Sequence, residues 1–324
     1  MDEGTLVLGL TGDVMVGRNV NDAMNNKGTR YIWGDLLPIL RATDLNIINL
    51  EAALTRHNQT VPKTFHFKAD PQNVSALKDA NIHLVNLANN HVLDYGEEGL
   101  LGTLEILRSA GILFVGAGKN SREAARPVIL TAKGLSIGVL GYTDNEPRWK
   151  AGTSKPGVNY IDIAQKNDRE FALSCIREAK KEADFIVVSI HWGPNLKATP
   201  GQLYTTFAQA MIDCGASLVH GHSAHNFQGI ERRGPKLIFY DTGDFVDDYM
   251  VHPELKNDHS FFFRVTVDKG GIKSAKLLPV LISHCQVNLA KGKQASWSLQ
   301  RMQTLSSAFA TTISDDGEID LVPK

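Results

Sequence analysis

Short apolar segments rich in β-branched residues recur along the chain, and each of them ends in polar residues or glycine. Eight of these segments predict buried strands, at residues 6–10, 45–50, 82–87, 112–115, 137–140, 185–190, 216–219 and 237–240. Helical patterns separate several of the strands, at residues 73–80, 97–110, 166–183 and 202–214. Alternation of apolar strands with helices predicts an α/β fold whose sheet is covered on its faces.

The helical segment 97–110 carries the clearest amphipathic pattern. Four leucines fall on one of its faces, at Leu100, Leu101, Leu104 and Leu107. Gly111 follows directly and is the predicted C-cap of this helix.

The C-terminal part of the chain follows a different pattern. Segments 260–267 and 275–281 have no helix between them and predict antiparallel additions to the sheet. We expect one domain over residues 1–290, followed by a polar tail over residues 291–324 with a possible short helix near residues 299–308.

Composition narrows the class of protein. The chain is 43% apolar and 21% charged with a formal net charge of −1, so it offers no electrostatic reason to expect nucleic acid or an anionic membrane as partner. Its cysteines, Cys175, Cys214 and Cys285, lack metal-binding spacing and predict buried free thiols in a reducing compartment. With no basic and apolar leader and no apolar span of about 20 residues, we expect a cytoplasmic protein, although a chain trimmed of a leader would look the same.

The ends of the predicted strands carry the candidate chemistry. Six strands are followed by Asp, Glu, Asn or His, in the segments Gly12-Asp13, Asn49-Leu50-Glu51, Asn89-Asn90-His91, His191-Trp192-Gly193, His220-Gly221-His222-Ser223-Ala224-His225 and Asp241-Thr242-Gly243-Asp244. A single such residue is most often a cap or a turn former. Six of them at one sheet edge, where α/β folds bind ligands, make a ligand set for a divalent metal such as Mn, Fe or Zn.

These motifs, in this order, resemble those of the poly-gamma-glutamate capsule synthesis (CapA) family over roughly residues 5–250. The resemblance is carried by Gly12-Asp13-Val14-Met15 with Arg18, Asn49-Leu50-Glu51, Phe67-Lys68-Ala69-Asp70-Pro71, Leu87-Ala88-Asn89-Asn90-His91-Val92-Leu93-Asp94-Tyr95-Gly96, His191-Trp192-Gly193, and Gly221-His222-Ser223-Ala224-His225 with Gln228-Gly229-Ile230-Glu231. It implies a calcineurin-like metallophosphoesterase fold, a four-layer α/β/β/α sandwich of two mixed sheets.

The resemblance also implies a role for individual residues. It makes metal ligands of Asp13, Glu51, Asn90, His191, His222 and His225. His91 matches the histidine that protonates a leaving alkoxide or steadies the phosphoryl group. The implied chemistry is hydrolysis at a phosphoryl centre with one or two divalent ions (Mn, Fe or Zn), in which Asp13, Asn90 and Arg18 accompany His91 as catalytic residues.

The chain departs from the usual phosphoesterase pattern at four places. Met15 stands where the first strand usually carries a histidine, and Glu51 replaces a bridging aspartate. Val92 follows the Asn-His pair in place of an acidic residue, for which Asp94 is a possible substitute. The last histidine pair has two intervening residues instead of one, so one metal site lacks a ligand of the usual pattern.

Further residues are candidates for substrate binding. Arg18 and Lys68 are possible anion clamps, with a surface ion pair as the alternative for each. Trp192 is a possible apolar wall of the cleft, although aromatic residues near sheet edges are more often core. Asp241 and Asp244 can contact the substrate, supply a metal ligand or orient a histidine through its second ring nitrogen.

Three functions fit these residues. The first is a metal-dependent hydrolase acting on a phosphoester or a related anionic substrate, a small molecule or a peptide, linked by family to poly-gamma-glutamate and capsule metabolism. The second is a metal-independent acid-base enzyme that uses the same histidines and carboxylates on a peptide or polyglutamate, as an epimerase or in amide-bond chemistry. The third is a non-catalytic polyanion-binding module, which the near-neutral net charge disfavours. Oligomeric state and substrate do not follow from the sequence.

Overall fold

The fold is mixed α/β, as the alternating pattern predicts. The computed structural model describes residues 4–321. The strands in this range are β1 Leu6–Val14, β2 Leu45–Leu50, β3 Ala53–Leu54, β4 Lys68–Ala69, β5 Ile82–Asn86, β6 Leu113–Val115, β7 Ala117–Gly118, β8 Val128–Ala132, β9 Leu135–Thr143, β10 Gly157–Val158, β11 Phe185–His191, β12 Leu218–His222, β13 Ile230–Arg233, β14 Lys236–Phe239, β15 Asp244–Val246, β16 His259–Asp268, β17 Gly271–Ser283 and β18 Gln286–Leu289. The α-helices are α1 Arg18–Lys27, α2 Leu37–Arg41, α3 Val74–Asp79, α4 Gly96–Ala110, α5 Ser121–Ala124, α6 Lys166–Glu182, α7 Gln202–Asp213 and α8 Lys293–Ser307.

The first large sheet has eight strands in the order β18-β17-β16-β1-β2-β5-β6, with β15 also paired to β1. Strands β1, β2, β5 and β6 run parallel, and β15 is parallel to β1. Strands β16 to β18 extend the sheet in antiparallel fashion, which confirms the prediction for segments 260–267 and 275–281.

The second large sheet has six strands in the order β13-β14-β12-β11-β9-β8. Its four central strands are parallel, and β8 and β13 close the two edges as antiparallel strands. The parallel strands therefore form one half of the first sheet and the centre of the second, and their carboxyl ends can contribute side chains to one site.

The buried apolar residues form three clusters. One cluster contains side chains of both sheets, among them Leu8 and Ile47 of the first and Val139 and Val187 of the second. A second cluster joins the first sheet to helices α1 to α4, and a third joins the second sheet to α6 and α7. Each sheet therefore packs apolar side chains on both of its faces, which explains why the central strands lack alternating polar residues.

The four helices predicted between residues 73 and 214 agree with the structure to within one residue at each end, whereas β1 continues to Val14 and β12 to His222, beyond the predicted ends at residues 10 and 219. Helix α4 ends at Ala110, and Gly111 follows in the left-handed conformation with φ 74°, which confirms the predicted C-cap. The last helix, α8, begins at Lys293 instead of near residue 299. Met302 on this helix and Ile313 beyond it are buried in the cluster shared by the two sheets.

The cysteines have free thiols, as predicted, but all three are half-buried instead of buried. No helix between residues 4 and 321 is both long enough and apolar enough to cross a membrane.

Candidate metal centre

Strand register brings three polar side chains together at the end of β1. Asp13 pairs with Asn49 on the β2 side and with Asp244 on the β15 side. All three are buried. Glu51 follows β2 directly, and its backbone N–H donates to Val14 O at 3.0 Å. The first sheet therefore contributes the carboxylates of the site.

The second sheet contributes histidines by the same mechanism. His191 at the end of β11 lies opposite His222 at the end of β12 in parallel register. Their Nδ1 atoms are 3.0 Å apart. These two nitrogens lie 3.7 and 3.6 Å, respectively, from Asp13 Oδ1, so the two sheets meet at Asp13.

The glycine before Asp13 is required by this close approach. A Cβ atom at Gly12 would lie 1.9 Å from Gly243 O, far inside van der Waals contact. Asp13 N–H donates to that same carbonyl at 2.8 Å. The contact between Gly12 and the turn at Gly243 is what allows β15 to place Asp244 beside Asp13.

Two overlapping groups of side chains can hold a metal ion. The first comprises Asp13, His191 and His222, and the second comprises Asp13, Glu51, His225 and Asp244. Within each group the donor atoms lie within 4.8 Å of one another. Carboxylate and imidazole donors are the ligands that Zn, Mn and Fe use in proteins. Asp13 belongs to both groups and is therefore the residue that two ions would share.

Three carboxylate oxygens of the site are buried without compensation. Asp13 Oδ2, Glu51 Oε1 and Asp244 Oδ2 have no hydrogen-bond partner among residues 4–321. A buried carboxylate oxygen is costly unless a donor or a cation satisfies it. The unsatisfied oxygens lie among the grouped donors, so the residues present fit a divalent cation.

His225 reaches the second group from a strained turn. Its φ is 56° and that of Ser223 is 117°, both in the region that non-glycine residues seldom adopt. His225 Nδ1 lies 2.9 Å from Asp244 Oδ1 and 3.7 Å from Asp13 Oδ2. The turn thus points the imidazole at two carboxylates.

The electrostatics of the second group reflect a shortage of positive charge. Burial and the neighbouring charge of Asp13 raise the pKa of Glu51 well above its usual range. Burial would lower the pKa of His225, but Asp244 and Glu51 outweigh it and raise that pKa well above its ordinary value. A proton on His225 therefore does part of what a bound cation does. Burial lowers the pKa values of His191 and His222, which keeps both rings neutral and fit to bind a metal.

An asparagine network fixes the positions of the candidate ligands on the first sheet. Asn49 Nδ2 donates to Asp13 Oδ1 at 2.7 Å, and Asn49 Oδ1 accepts from Asn86 and Asn89 at 3.0 and 3.1 Å. Asn89 Oδ1 in turn accepts from the backbone N–H of His91 at 3.0 Å. Asn90 Oδ1 lies 3.0 Å from His191 Nε2, which brings this predicted ligand to the site.

A second chain of contacts lies behind His222. His222 Nε2 is 3.0 Å from Ser189 Oγ, which is 3.5 Å from His220 Nδ1. His220 Nε2 is 2.8 Å from the carbonyl oxygen of Thr11 and donates to it. Because this series of contacts engages Nε2 of His222, the other ring nitrogen, Nδ1, which faces Asp13, is available to bind a metal.

His91 lies against the site with its ring held on both sides. Its Nδ1 donates to Asp94 Oδ2 at 2.6 Å, and its Nε2 lies 3.9 Å from Glu51 Oε1. Phe67 stacks on the ring with 3.8 Å between centroids. Lys63 Nζ donates to Asp94 Oδ1 at 2.9 Å and also to Asn90 O. Burial lowers the pKa of His91 to about 4, so its free nitrogen, Nε2, is an acceptor at neutral pH.

Four predicted residues have partners outside the donor groups. Arg18 forms an ion pair with Asp248 and lies over the rings of Phe67 and Tyr249. Lys68 Nζ donates to the carbonyl of His57 and to Asn58. Trp192 is buried and donates its indole N–H to Tyr240 O at 2.9 Å.

Asp241 is the fourth, and it organises the turn that carries Asp244. Its two carboxylate oxygens each accept a backbone N–H at 2.8 Å, from Gly243 and Ala224. Asp244, by contrast, belongs to the second donor group, which agrees with its predicted alternative role as a ligand.

Several site residues have no signal in the sequence. Tyr249, whose hydroxyl donates to Glu51 Oε2 at 3.1 Å, and Lys63 both come from loops without a strand pattern. Ser189 alternates with buried apolar residues inside β11, where a single serine carries no distinctive pattern. Asn86, three residues before Asn89 and inside the strand β5, is the exception that a search for polar residues inside apolar strands would find.

The fold and the centre define a mixed α/β protein whose two sheets enclose a buried histidine-carboxylate cluster able to hold a divalent metal. The sequence model of the family "Bacterial capsule synthesis protein PGA_cap" matches residues 7–249, a range that contains every member of both donor groups. The chain belongs to this family, the CapA family, within the metallophosphoesterase-like superfamily.

Curated relatives agree with this assignment. The chain is 30% identical to the "Probable polyglutamine synthesis accessory protein" of Mycobacterium tuberculosis strain H37Rv, over 99% of this chain and 97% of that protein. It is 32% identical to the "PGA biosynthesis protein CapA" of Bacillus subtilis strain 168, over 82% of this chain and 71% of that protein. It is also 32% identical to the "Capsule biosynthesis protein CapA" of Bacillus anthracis, over 75% of this chain and 60% of that protein.

A solved structure shares the fold. A hypothetical protein from Thermus thermophilus superposes with a TM-score of 0.52 over 85% of this chain and 98% of that chain, at 15% sequence identity.

Proposed function

We propose that this protein is a metal-dependent hydrolase that acts on a phosphoester or a related anionic substrate in poly-gamma-glutamate or capsule metabolism. The family assignment and the names of the relatives support the metabolic setting. The proposal includes the four-layer α/β/β/α sandwich of the calcineurin-like fold. It is supported by one apolar cluster containing both sheets and by separate helix-bearing clusters for each sheet.

The observation that carries the proposal is the set of unsatisfied carboxylate oxygens. Asp13, Glu51 and Asp244 each keep one buried oxygen without a partner in the described part of the chain. A structural cluster of this kind would be expected to satisfy these atoms internally. Unsatisfied carboxyl oxygens beside the neutral imidazole nitrogens of His191 and His222 favour a site that a cation completes.

We assign the ligands in two groups. Asp13, His191 and His222 would hold one ion, with Asn90 adjacent to His191. Asp13, Glu51, His225 and Asp244 would hold a second. Met15 supplies no imidazole at the position where the usual pattern has one, and Asp244 offers a carboxylate to the group in its place. When bound, the metal supplies Lewis-acid activation of a phosphoryl group and of water.

His91 is the proposed proton-transfer residue. Its Nε2 faces Glu51, and Asp94 holds the opposite nitrogen, so the ring presents a fixed tautomer to the cleft. Asp94 also compensates the positive charge that His91 acquires when it takes a proton. Lys63 and Phe67 restrict movement of this pair.

The partners stay proposals. We propose an anionic small molecule or peptide as substrate, and neither nucleic acid nor a membrane as partner, because the chain has a net charge of −1. The cytoplasmic location stays a prediction from the sequence.

A second candidate function is metal-independent acid-base chemistry on a peptide or polyglutamate. It is favoured by two histidines that flank Glu51 and are backed by different carboxylates, His91 by Asp94 and His225 by Asp244. Two such histidines can serve as base and acid in one site.

The test compares the two chemistries on the same preparations. Hydrolysis of 4-nitrophenyl phosphate and bis(4-nitrophenyl) phosphate is measured with Mn²⁺, Zn²⁺ or chelator, for the wild type, Glu51→Gln, His91→Ala and the exposed control Asp213→Asn. Deuterium uptake from solvent into a poly-gamma-glutamate oligomer is measured in parallel. Metal-dependent turnover that is lost in E51Q and H91A supports the hydrolase. Deuterium uptake that persists in chelator, without phosphoester turnover, supports the second candidate instead.

A further inference from the structure

Asparagine side chains contact His191 at both of its ring nitrogens. Its Nε2 lies 3.0 Å from Asn90 Oδ1, and its Nδ1 lies 3.3 Å from Asn49 Nδ2. A neutral imidazole has one N–H donor and one acceptor, so the partners determine which nitrogen carries the proton. The resemblance to the CapA family implies that Asn90 is a metal ligand, whereas this contact gives its amide oxygen a different partner.

Backbone groups fix the orientation of the Asn49 amide. Asn89 donates through Nδ2 to Leu50 O at 2.9 Å and accepts through Oδ1 from the backbone N–H of His91 at 3.0 Å. The amide of Asn89 therefore has one orientation, and its second N–H donates to Asn49 Oδ1 at 3.1 Å. Asn49 must then present its Nδ2 group to His191, which makes Nδ1 of that ring the acceptor.

The proton of His191 consequently lies on Nε2. This N–H donates to Asn90 Oδ1 at 3.0 Å, and Lys63 Nζ donates to the backbone carbonyl of Asn90. A metal-binding histidine usually donates its second ring N–H to a fixed acceptor of this kind. The nitrogen left to bind a metal is Nδ1, which lies 3.7 Å from Asp13 Oδ1.

His222 reaches the same state through different partners. His220 Nε2 donates to Thr11 O at 2.8 Å, so His220 Nδ1 is an acceptor for the hydroxyl of Ser189 at 3.5 Å. With its hydrogen directed there, Ser189 Oγ accepts from His222 Nε2 at 3.0 Å. Nδ1 of His222 is thereby left facing Asp13 Oδ1 at 3.6 Å.

The separations of the three remaining atoms suit a common metal ion. The two Nδ1 atoms of His191 and His222 are 3.0 Å apart, and they lie 3.7 and 3.6 Å from Asp13 Oδ1. Ligand atoms at about 2.0–2.1 Å from a tetrahedral ion lie about 3.3–3.4 Å from one another. The Nδ1 atoms therefore have the spacing of ligand atoms, while both Nε2 atoms have other partners.

We propose that Asn90 is a positioning residue instead of a metal ligand. It accepts the Nε2 proton of His191, so that His191, like His222, binds the ion through Nδ1. Ser189 has the same role toward His222. Binding of the ion rests on the proposed function, but the tautomer of His191 does not, because Asn49 and Asn90 fix it in the protein without metal.

Nuclear magnetic resonance tests the proposal directly. Long-range proton–nitrogen correlation spectra of protein with isotopically labelled histidine show which ring nitrogen carries the proton. The signals of His191 and His222 are identified by their loss in His191→Gln and His222→Gln. In chelator-treated wild-type protein we expect the His191 proton on Nε2, and after addition of Zn²⁺ we expect both rings to carry it there. A proton on Nδ1 of His191 before zinc, or on Nδ1 of either ring after zinc has bound, would overturn the proposal.

A variant tests the role of Asn90 itself. Asn90→Ala should move the nitrogen shifts of His191 in the metal-free protein toward the other tautomer, and it should weaken Zn²⁺ binding by about 10- to 100-fold in isothermal titration. Asn145→Ala is the matched control and should change neither property, because the Asn145 amide contacts the backbone carbonyl of His191 at 3.4 Å and not its ring. Wild-type His191 shifts in N90A would overturn the role of Asn90.

This proposal and the proposed function fail separately. The metal-free spectra report the tautomer of His191 whether or not the protein takes up zinc. A protein that binds no Zn²⁺ but shows the Nε2 proton in the wild type and its displacement in N90A would contradict the proposed function and support the role of Asn90 toward His191.

Discussion

Asp94 accepts a hydrogen bond from Nδ1 of His91 at 2.6 Å, and the same carboxylate accepts from Lys63 Nζ at 2.9 Å. The Asp94 carboxylate also accepts the backbone N–H of Phe67 at 2.7 Å, so it is fully engaged. A single buried carboxylate therefore fixes the ring whose other nitrogen faces Glu51. We propose that Asp94 substitutes for the acidic residue that Val92 does not supply.

We expect Asp94→Asn to lower kcat by about 10²-fold with a smaller effect on KM, because the ring loses its tautomer and its charge compensation. Lys63→Met should reduce kcat less, by about tenfold, since Lys63 acts through Asp94. Lys68→Met is the matched control, because Lys68 contacts His57 and Asn58 instead. Steady-state kinetics measure kcat and KM for the three variants. If K68M lowered kcat as much as K63M does, the role of Lys63 in holding Asp94 would be contradicted.

Tyr249 is expected to orient Glu51. Removing its hydroxyl in Tyr249→Phe leaves Glu51 Oε2 without its donor, so metal affinity should fall by about tenfold while the fold is kept. Isothermal titration with Mn²⁺ measures the dissociation constant. Tyr95→Phe, at a tyrosine that packs near His66, serves as control and should bind as the wild type does.

Gly12 is expected to be irreplaceable by alanine. The added Cβ would meet Gly243 O at 1.9 Å, so β1 and the turn before β15 must separate. We expect Gly12→Ala to lower the free energy of unfolding by about 3 kcal/mol or more, as strained overpacking does. Gly102→Ala in helix α4 has no contact shorter than 3.7 Å and should be neutral or stabilising. Chemical denaturation of both variants makes the comparison, and equal stabilities would count against the close approach.

Asp144 is expected to make stability depend on pH. Its carboxylate accepts the backbone N–H of Gly193 at 3.1 Å, and burial raises the pKa of Asp144 from 3.8 to about 6. A carboxyl group with a raised pKa in the folded protein stabilises the fold fully below about pH 3.8 and loses that contribution as the pH rises through about 6. The difference between the two pKa values corresponds to about 3 kcal/mol.

The free energy of unfolding of the wild type, measured relative to Asp144→Asn, should therefore fall by up to about 3 kcal/mol between about pH 4 and about pH 7.5. Urea denaturation at a series of pH values measures this. Asp213→Asn, whose side chain is 65% exposed, should track the wild type at every pH. If the free energies of unfolding of the wild type and D144N changed with pH in the same way, the pKa of Asp144 would lie near its ordinary value.

The strand ends were predictable because two physical rules act together. Apolar runs mark the central strands, and parallel strands place their carboxyl ends at one edge of a sheet, so His191 and His222 could be grouped without coordinates. The prediction that all six strand ends share one sheet edge was wrong, because Asp13 lies on the first sheet and the two histidines lie on the second. Helix α1 escaped prediction because only Val20 and Met24 of its residues are buried and most of the others are polar. Its first residue, Arg18, could not be distinguished as an anion clamp or an ion-pair partner until Asp248 was located.

Contacts between distant loops could not be predicted from the sequence. The pairing of Asp94 with Lys63 and of Glu51 with Tyr249 depends on how loops fold over the sheet edge, which periodicity does not describe. Trp192 and Asp241 illustrate the reverse case, since both lie near candidate ligands in the sequence but their polar atoms bond to the backbone. Position at a strand end therefore predicts proximity to the site better than it predicts the role.

The most direct test of the account is the metal content of the protein purified without added metal. Plasma mass spectrometry is applied to the wild type, to Asp13→Ala, which removes the residue shared by both donor groups, and to the exposed control Asp213→Ala. We expect about one to two equivalents of Mn, Fe or Zn in the wild type and D213A, and a loss of at least about 90% in D13A. Metal-free wild-type protein that stays metal-free after incubation with each ion, or equal metal in D13A, would contradict it.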